Sequence, residues 1–110
     1  MEKTKSLSGC EEMVLSIVFD SESAPDLAEV TDRANKKFNK TWKPQTVSTF
    51  LSRLVQKGFL TSYREGRYYY YEPTVSRDEY CAAEAARMTD LFFNGDRKKL
   101  IEFVSGSKEV

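Results

Sequence analysis

Residues 44–72 read PQTVSTFLSRLVQKGFLTSYREGRYYYYE, and their order decides the fold. Val47, Phe50, Leu51, Leu54 and Val55 recur at spacings of three, four, seven and eight. That is one apolar stripe at helical period. The opposite face carries Gln45, Thr46, Ser48, Thr49, Ser52, Arg53, Gln56 and Lys57. It holds hydroxyls, amides and cations but no carboxylate, as a face pressed against phosphates requires. Pro44 suits the first helical turn, and Gly58 falls where a left-handed C-terminal cap is expected. Beyond it, Phe59 to Arg64 and Arg67 to Glu72 are rich in aromatics and β-formers and flank Glu65-Gly66, a two-residue turn. In a strand the run Tyr68 to Tyr71 places alternate rings on opposite sides. Helix, glycine and basic hairpin, in that order, predict a winged helix-turn-helix.

The chain has 110 residues, enough for one domain and an appended element. Formal net charge is zero, but the charge is segregated. Nine Lys/Arg and one Asp/Glu lie between Arg33 and Arg67, a net +8, and with 17 charges of each sign in all, the remainder carries −8. A basic patch over the helix-hairpin unit can attract nucleic acid despite the neutral total. The plain alternative is a solvated charged surface with no partner. No apolar run approaches the ~20 residues that span a bilayer. The N-terminus, MEKTKSLSG, lacks the apolar core of a signal peptide. A cytoplasmic protein without membrane insertion is expected.

Outside the central stretch, Ser8 and Glu11 form a capping box opening a first helix, about Gly9 to Phe19, with Met13, Val14, Ile17 and Val18 as its buried stripe. Ser23 with Asp26 is a second start signal, with Pro25 inside the first turn, for a helix running to about Lys37. Its inner face is Leu27, Val30, Ala34 and Phe38. Trp42 is expected to wedge the recognition helix against this one rather than to touch DNA. Ser76 and Glu79 open a further helix, about Arg77 to Phe93. Asn94-Gly95 breaks it, and Asp96 caps a last helix from Arg97 to Val104 before a frayed tail.

The last two helices are not needed to complete a winged domain. Their apolar residues therefore predict a homodimer interface made by Tyr80, Met88, Leu91, Phe92, Leu100, Ile101 and Val104. The fold expected is α+β and mainly helical. Residues 1–75 form a winged helix DNA-binding domain and residues 76–110 a C-terminal helical dimerisation segment. Two copies would read two halves of a pseudo-palindrome. Candidates for base and phosphate contact are Thr46, Ser48, Thr49, Ser52 and Arg53. For Arg53 a phosphate anchor or an intramolecular ion pair is the competing role. Lys43, Lys57, Arg64 and Arg67 are expected as phosphate anchors.

The chain lacks histidine, a metal-ligand cluster, a phosphate loop and a nucleophile-base pair, so neither catalysis, a metal nor a cofactor is expected. Cys10 and Cys81 are expected in helices as small core residues; a redox role or inter-chain disulfide is the alternative. A winged domain used only for protein contact would expose apolar anchors on the outer face of its third helix, and here there are none. Regulators of the PadR or MarR type have longer dimerisation helices than this chain provides.

Read in register, the chain resembles the BlaI/MecI/CopY family of repressors, also called penicillinase repressors. The resemblance rests on Leu7-Ser8, Glu11, Met13 and Val14; on Trp42; and on Thr46-Val47, Thr49, Leu51 and Arg53-Leu54 leading into Lys57-Gly58-Phe59-Leu60. It continues through Gly66-Arg67, Tyr69, Tyr71-Glu72-Pro73, Val75-Ser76, Glu79-Tyr80, Phe93 and Gly95-Asp96. It implies a homodimeric repressor on a palindromic operator, acting in an antibiotic response. It also implies release by cleavage near Glu102-Phe103, triggered by a membrane sensor-protease. Three departures stand out: the family's better-known cleavage site has asparagine at the place of Glu102, the copper-responsive members' paired Cys-x-Cys motifs are missing, and Ser48 stands where staphylococcal-type members have a basic residue.

Overall fold

In the computed structural model, residues 6–107 are described. They form α1 (Gly9–Asp20), α2 (Leu27–Phe38), α3 (Pro44–Gln56), β1 (Leu60–Glu65), β2 (Tyr68–Pro73), α4 (Arg77–Phe92) and α5 (Arg97–Ser107). The chain divides into two compact units between Ser76 and Arg77.

In the first unit, α1 to α3 pack on one another and on the base of an antiparallel hairpin. The core is Val14, Leu15, Ile17 and Val18 of α1, Val30 and Ala34 of α2, Val47, Leu51 and Leu54 of α3, with Phe59 and Leu60. Leu15, not Met13, completes the α1 stripe; Met13 is only half-buried. Ser8 and Glu11 make the expected reciprocal capping box.

The start of α2 differs from expectation. Its N-cap is Asp26, boxed with Glu29, and Pro25 lies outside the helix. The Pro25 carbonyl accepts from the Tyr71 amide at 3.1 Å, and Asp26 bridges to Tyr70. An extended segment tied to β2 cannot also be a helical turn, so the helix is capped by Asp26, three residues after the expected Ser23. This isolated bridge ties the wing to the helices beside the two-stranded sheet.

At the end of α3, Gly58 has φ +90°. The Gly58 amide donates to Val55 O and the Phe59 amide to Leu54 O, a Schellman closure with Leu54 and Phe59 buried together. Phe59 thus belongs to the cap, and β1 begins at Leu60. Glu65 pairs with Tyr68, so the two-residue loop is Gly66-Arg67, one residue later than expected. The reason is chirality: a primed hairpin turn needs positive φ at its first central position, and Gly66 supplies φ +66°.

Burial in β2 does not alternate: it is confined to mid-strand, with Glu72 and Pro73 exposed beyond it. Tyr70 and Tyr71 in the middle of the strand are half-buried, while Tyr68 and Tyr69 at the tip are each 52% exposed. Tyr63 stacks on its cross-strand partner Tyr70 with centroids 5.7 Å apart. Trp42 packs edge-on against Phe50 at 5.2 Å. The Asn35 side chain clamps the Trp42 backbone from both sides, at 2.9 and 3.0 Å. The tryptophan thus sets α3 against α2, as its size implied.

The second unit is α4 and α5. Asn94 (φ 53°) and Gly95 (φ 79°) end α4, and Asp96 accepts from the Lys98 and Lys99 amides to start α5. Helix α5 passes the expected end at Val104 and reaches Ser107; the last residues of the expected frayed tail, 108–110, lie outside those described. Thr89 is buried, and Phe93 meets Phe103 at 6.0 Å between ring centroids. Both cysteines lie in helices, but Cys81 is exposed and Cys10 half-buried, so neither is a core residue. Among the described helices none is long and apolar enough to cross a membrane.

Candidate nucleic-acid interface

The outer face of α3 is built by the stripe beneath it. With Val47, Leu51 and Leu54 fully buried, the residues between them must point outward. Thr46, Thr49, Ser52 and Arg53 are exposed there, and Ser48 is half-exposed. Thr49 back-bonds to the Gln45 carbonyl at 3.2 Å. Lys43 precedes the helix as its N-cap residue and makes no side-chain cap; it is exposed at the end where helix partial charge is positive.

The wing stands beside this face. Ser48 and Arg67 line one groove of about 350 Å³, with Pro44, Asp26, Leu27, Ala28, Tyr68, Tyr69 and Tyr71. The sequence did not place Ser48 and Arg67 together; the hairpin register does. Arg64 folds back on the tip, donating to the Gly66 carbonyl at 2.9 Å with its guanidinium over Tyr69. Burial first, then Tyr69, raise the Tyr71 phenol above its ordinary 10.0, so it stays neutral.

Not every basic residue faces outward with its charge free. Lys37 pairs with Asp20 at 3.0 Å and Lys36 with Asp32 at 3.3 Å, both on the surface. Arg33 donates to Ser21. Lys57, expected on phosphate, donates to Glu11 Oε1 at 2.7 Å and to the Ser6 carbonyl at 3.1 Å. Arg53 Nη1 lies 4.0 Å from Glu11 Oε2. Burial pushes the Glu11 carboxyl up, but the Lys57 and Ser8 hydrogen bonds and the charges of Lys57 and Arg53 outweigh it, leaving its pKa below the ordinary 4.5.

Sequence reasoning missed Glu11 as a partner of α3. The signal was present: Glu11 stands three, four and seven residues before Val14, Leu15 and Val18, on the buried face. Asn35 was also missed, and its spacing carries no comparable mark.

In the second unit, Met88, Leu91, Phe92, Ile101, Phe103 and Val104 are exposed, from 42% at Met88 to 71% at Phe92. Tyr80 and Leu100 are half-buried, and Glu102 is exposed. Among the described residues no cluster of three or more His, Cys, Asp or Glu side chains could hold a metal.

The penicillinase repressor family profile matches residues 7–110. The chain is similar to the penicillinase repressor of Bacillus licheniformis, with 29% identity over 101 residues, covering 92% of this chain and 77% of that protein. It is similar to the solution structure of Bacillus licheniformis BlaI, in monomeric form with the blaP half-operator, at 32% identity and TM-score 0.56, covering 69% of this chain and 89% of that one. The solution structure of the DNA-binding domain of the repressor BlaI matches at 32% identity and TM-score 0.60, over 73% of this chain and 94% of that one. The fold alone is shared with H. salinarum RosR, at 14% identity and TM-score 0.60 over 96% of each chain. A winged helix with a carboxylate-free α3 face, matched along nearly all its length, belongs to the penicillinase repressor family of DNA-binding transcriptional repressors.

Proposed function

We propose that the protein represses transcription in the cytoplasm as a homodimer seated on a pseudo-palindromic operator. Helix α3 enters the major groove, where Thr46, Ser48, Thr49, Ser52 and Arg53 meet base edges and nearby phosphates. Lys43, Arg64 and Arg67 fix the register on the backbone. The observation that carries this reading is the outer face of α3, exposed and free of acid, with Arg67 beside it across one groove. Repression is steric: an occupied operator blocks polymerase.

The second copy joins through α4 and α5. Exposed Leu91, Phe92, Ile101 and Val104 form the apolar surface that a self-complementary contact would cover, and Tyr80, Met88 and Leu100 complete it. Release follows cleavage near Glu102-Phe103, both exposed on α5, by a membrane sensor-protease. Loss of the dimer contact then separates the two readers.

Footprinting the full chain on the DNA upstream of its own gene tests the operator reading. Two protected half-sites related by a dyad, centred about one or two helical turns apart, are expected. Protection without a dyad contradicts the dimer, and no protection contradicts the operator. Immunoblots during β-lactam exposure test release: a fragment ending near residue 102 is expected, and an intact chain on a derepressed promoter contradicts it.

A further inference from the structure

Glu11 is the odd member of the α1 stripe. It is as buried as the aliphatic residues around it, at 2% exposure. A carboxylate is costly there unless it is paired and hydrogen-bonded. Both requirements are met from α3. Arg53 and Lys57 stand one turn apart on that helix, and the carboxylate lies beneath both. Oε1 accepts from Lys57 Nζ at 2.7 Å and from the Ser8 amide at 3.0 Å. Oε2 faces Arg53 Nη1 at 4.0 Å.

The charges in this triad do not cancel completely. Lys57, only 26% exposed, neutralises Glu11, and its ammonium also donates a hydrogen bond to the Ser6 carbonyl. One positive charge remains, on Arg53, whose side chain is 55% exposed. One guanidinium nitrogen, Nη1, lies 4.0 Å from the fixed carboxylate, and the side chain is more than half exposed. A flexible lysine or a loose arginine grips any phosphate it meets. At 4.0 Å Glu11 makes no hydrogen bond to Arg53; its fixed charge instead biases the direction of the planar fork, and direction is what bidentate recognition of a base edge needs.

We infer that Glu11 is a positioning residue for DNA recognition: from α1 it orients the Arg53 guanidinium on the outer face of α3 and holds Lys57 away from phosphate. This rests on the reading of Arg53 as a DNA contact. Glu11 itself never touches DNA. Its effect on discrimination runs through Arg53; holding Lys57 back removes an attraction that acts on all duplexes alike.

The test is a set of fluorescence-anisotropy titrations on the full chain. The probes are a duplex from upstream of its own gene and a scrambled duplex of equal composition. Glu11→Gln keeps the capping box, since glutamine at the third helical position can still accept from the Ser8 amide. It removes only the charge. Tighter binding to the scrambled duplex is expected, with a salt slope steeper by about one unit. The own-to-scrambled affinity ratio should fall about tenfold. In an Arg53→Ala background, Glu11→Gln should lower the ratio no further. Glu11→Asp keeps the charge but withdraws it from Arg53, and should lower the ratio in the same direction. It provides the readout if the glutamine variant does not fold by circular dichroism.

A purely stabilising Glu11 predicts an unchanged ratio and unchanged salt slope in folded protein, and that result overturns the inference. If Arg53→Ala leaves the ratio unchanged, the reading of Arg53 falls and this inference falls with it. If Arg53→Ala lowers the ratio but neither Glu11 variant does, only the positioning role is lost.

Discussion

Two cations of the central stretch show how differently arginine and lysine can serve one basic segment. Arg67 sits at the hairpin tip, exposed, in the groove it shares with Ser48. Arg67→Ala is expected to weaken binding to all duplexes alike and to flatten the salt slope by about one unit; unchanged affinity would remove the wing from the interface. Lys57 instead completes the buried Glu11 pair. Lys57→Met should cost roughly 3 kcal/mol in urea unfolding, because it leaves a buried carboxylate with its nearest cation gone. The folded Glu11 carboxyl lies below its ordinary 4.5, so its contribution is present above that value and is lost as pH falls through the folded pKa. Stability curves measured from about pH 6 down to pH 3 should therefore fall less steeply in Glu11→Gln than in the parent chain. Equal acid limbs would contradict the pairing. Neither role could be read from residue type alone: both cations stand in the same basic segment, and only the position of Glu11 on the buried face of α1 separates them.

At the scale of elements, the central stretch was legible because its signals agree. The α3 stripe, Pro44 at its start and Gly58 past its end all point to one helix, and the structure has it at Pro44–Gln56. At the start of α2 a tertiary contact overrode the local signal. The start expected at Ser23 moves to Asp26, because Pro25 and Asp26 are tied to β2. The turn moved by one residue because only glycine takes the required φ cheaply at Gly66. The tyrosine run did not alternate in burial because the hairpin tip has no layer over either face. Gly58 offers a test of this logic. A Cβ there meets nothing within 4 Å, so the cost of Gly58→Ala comes from φ +90° alone. A loss of about 1 to 2 kcal/mol is expected by chemical denaturation. A neutral substitution would mean that the chain does not need the left-handed turn between α3 and the wing.

At the scale of the whole molecule, a single winged domain is a weak reader, and specificity on a long site comes from joining two. The exposed apolar residues of α4 and α5 are the feature on which the proposed second copy rests. The sequence signalled this surface through apolar residues left over once a winged core is filled; it could not signal how two copies meet, since no intramolecular contact encodes that. Phe92→Glu should give a monomer by sedimentation, with thermal stability of the folded chain little changed because Phe92 is already 71% exposed. Operator affinity should drop about 100-fold or more as the linked second binding event disappears. A dimer that survives this change would move the interface elsewhere. The central claim is that the protein recognises a specific DNA sequence through α3 and its wing. It is tested most directly by titrating the full chain against the duplex upstream of its own gene and a scrambled duplex across a range of salt concentrations. The account predicts at least about 10³-fold tighter binding to its own duplex, with affinity for both falling steeply as salt rises. Equal affinity for the two duplexes at every salt concentration, or binding to neither, would contradict it.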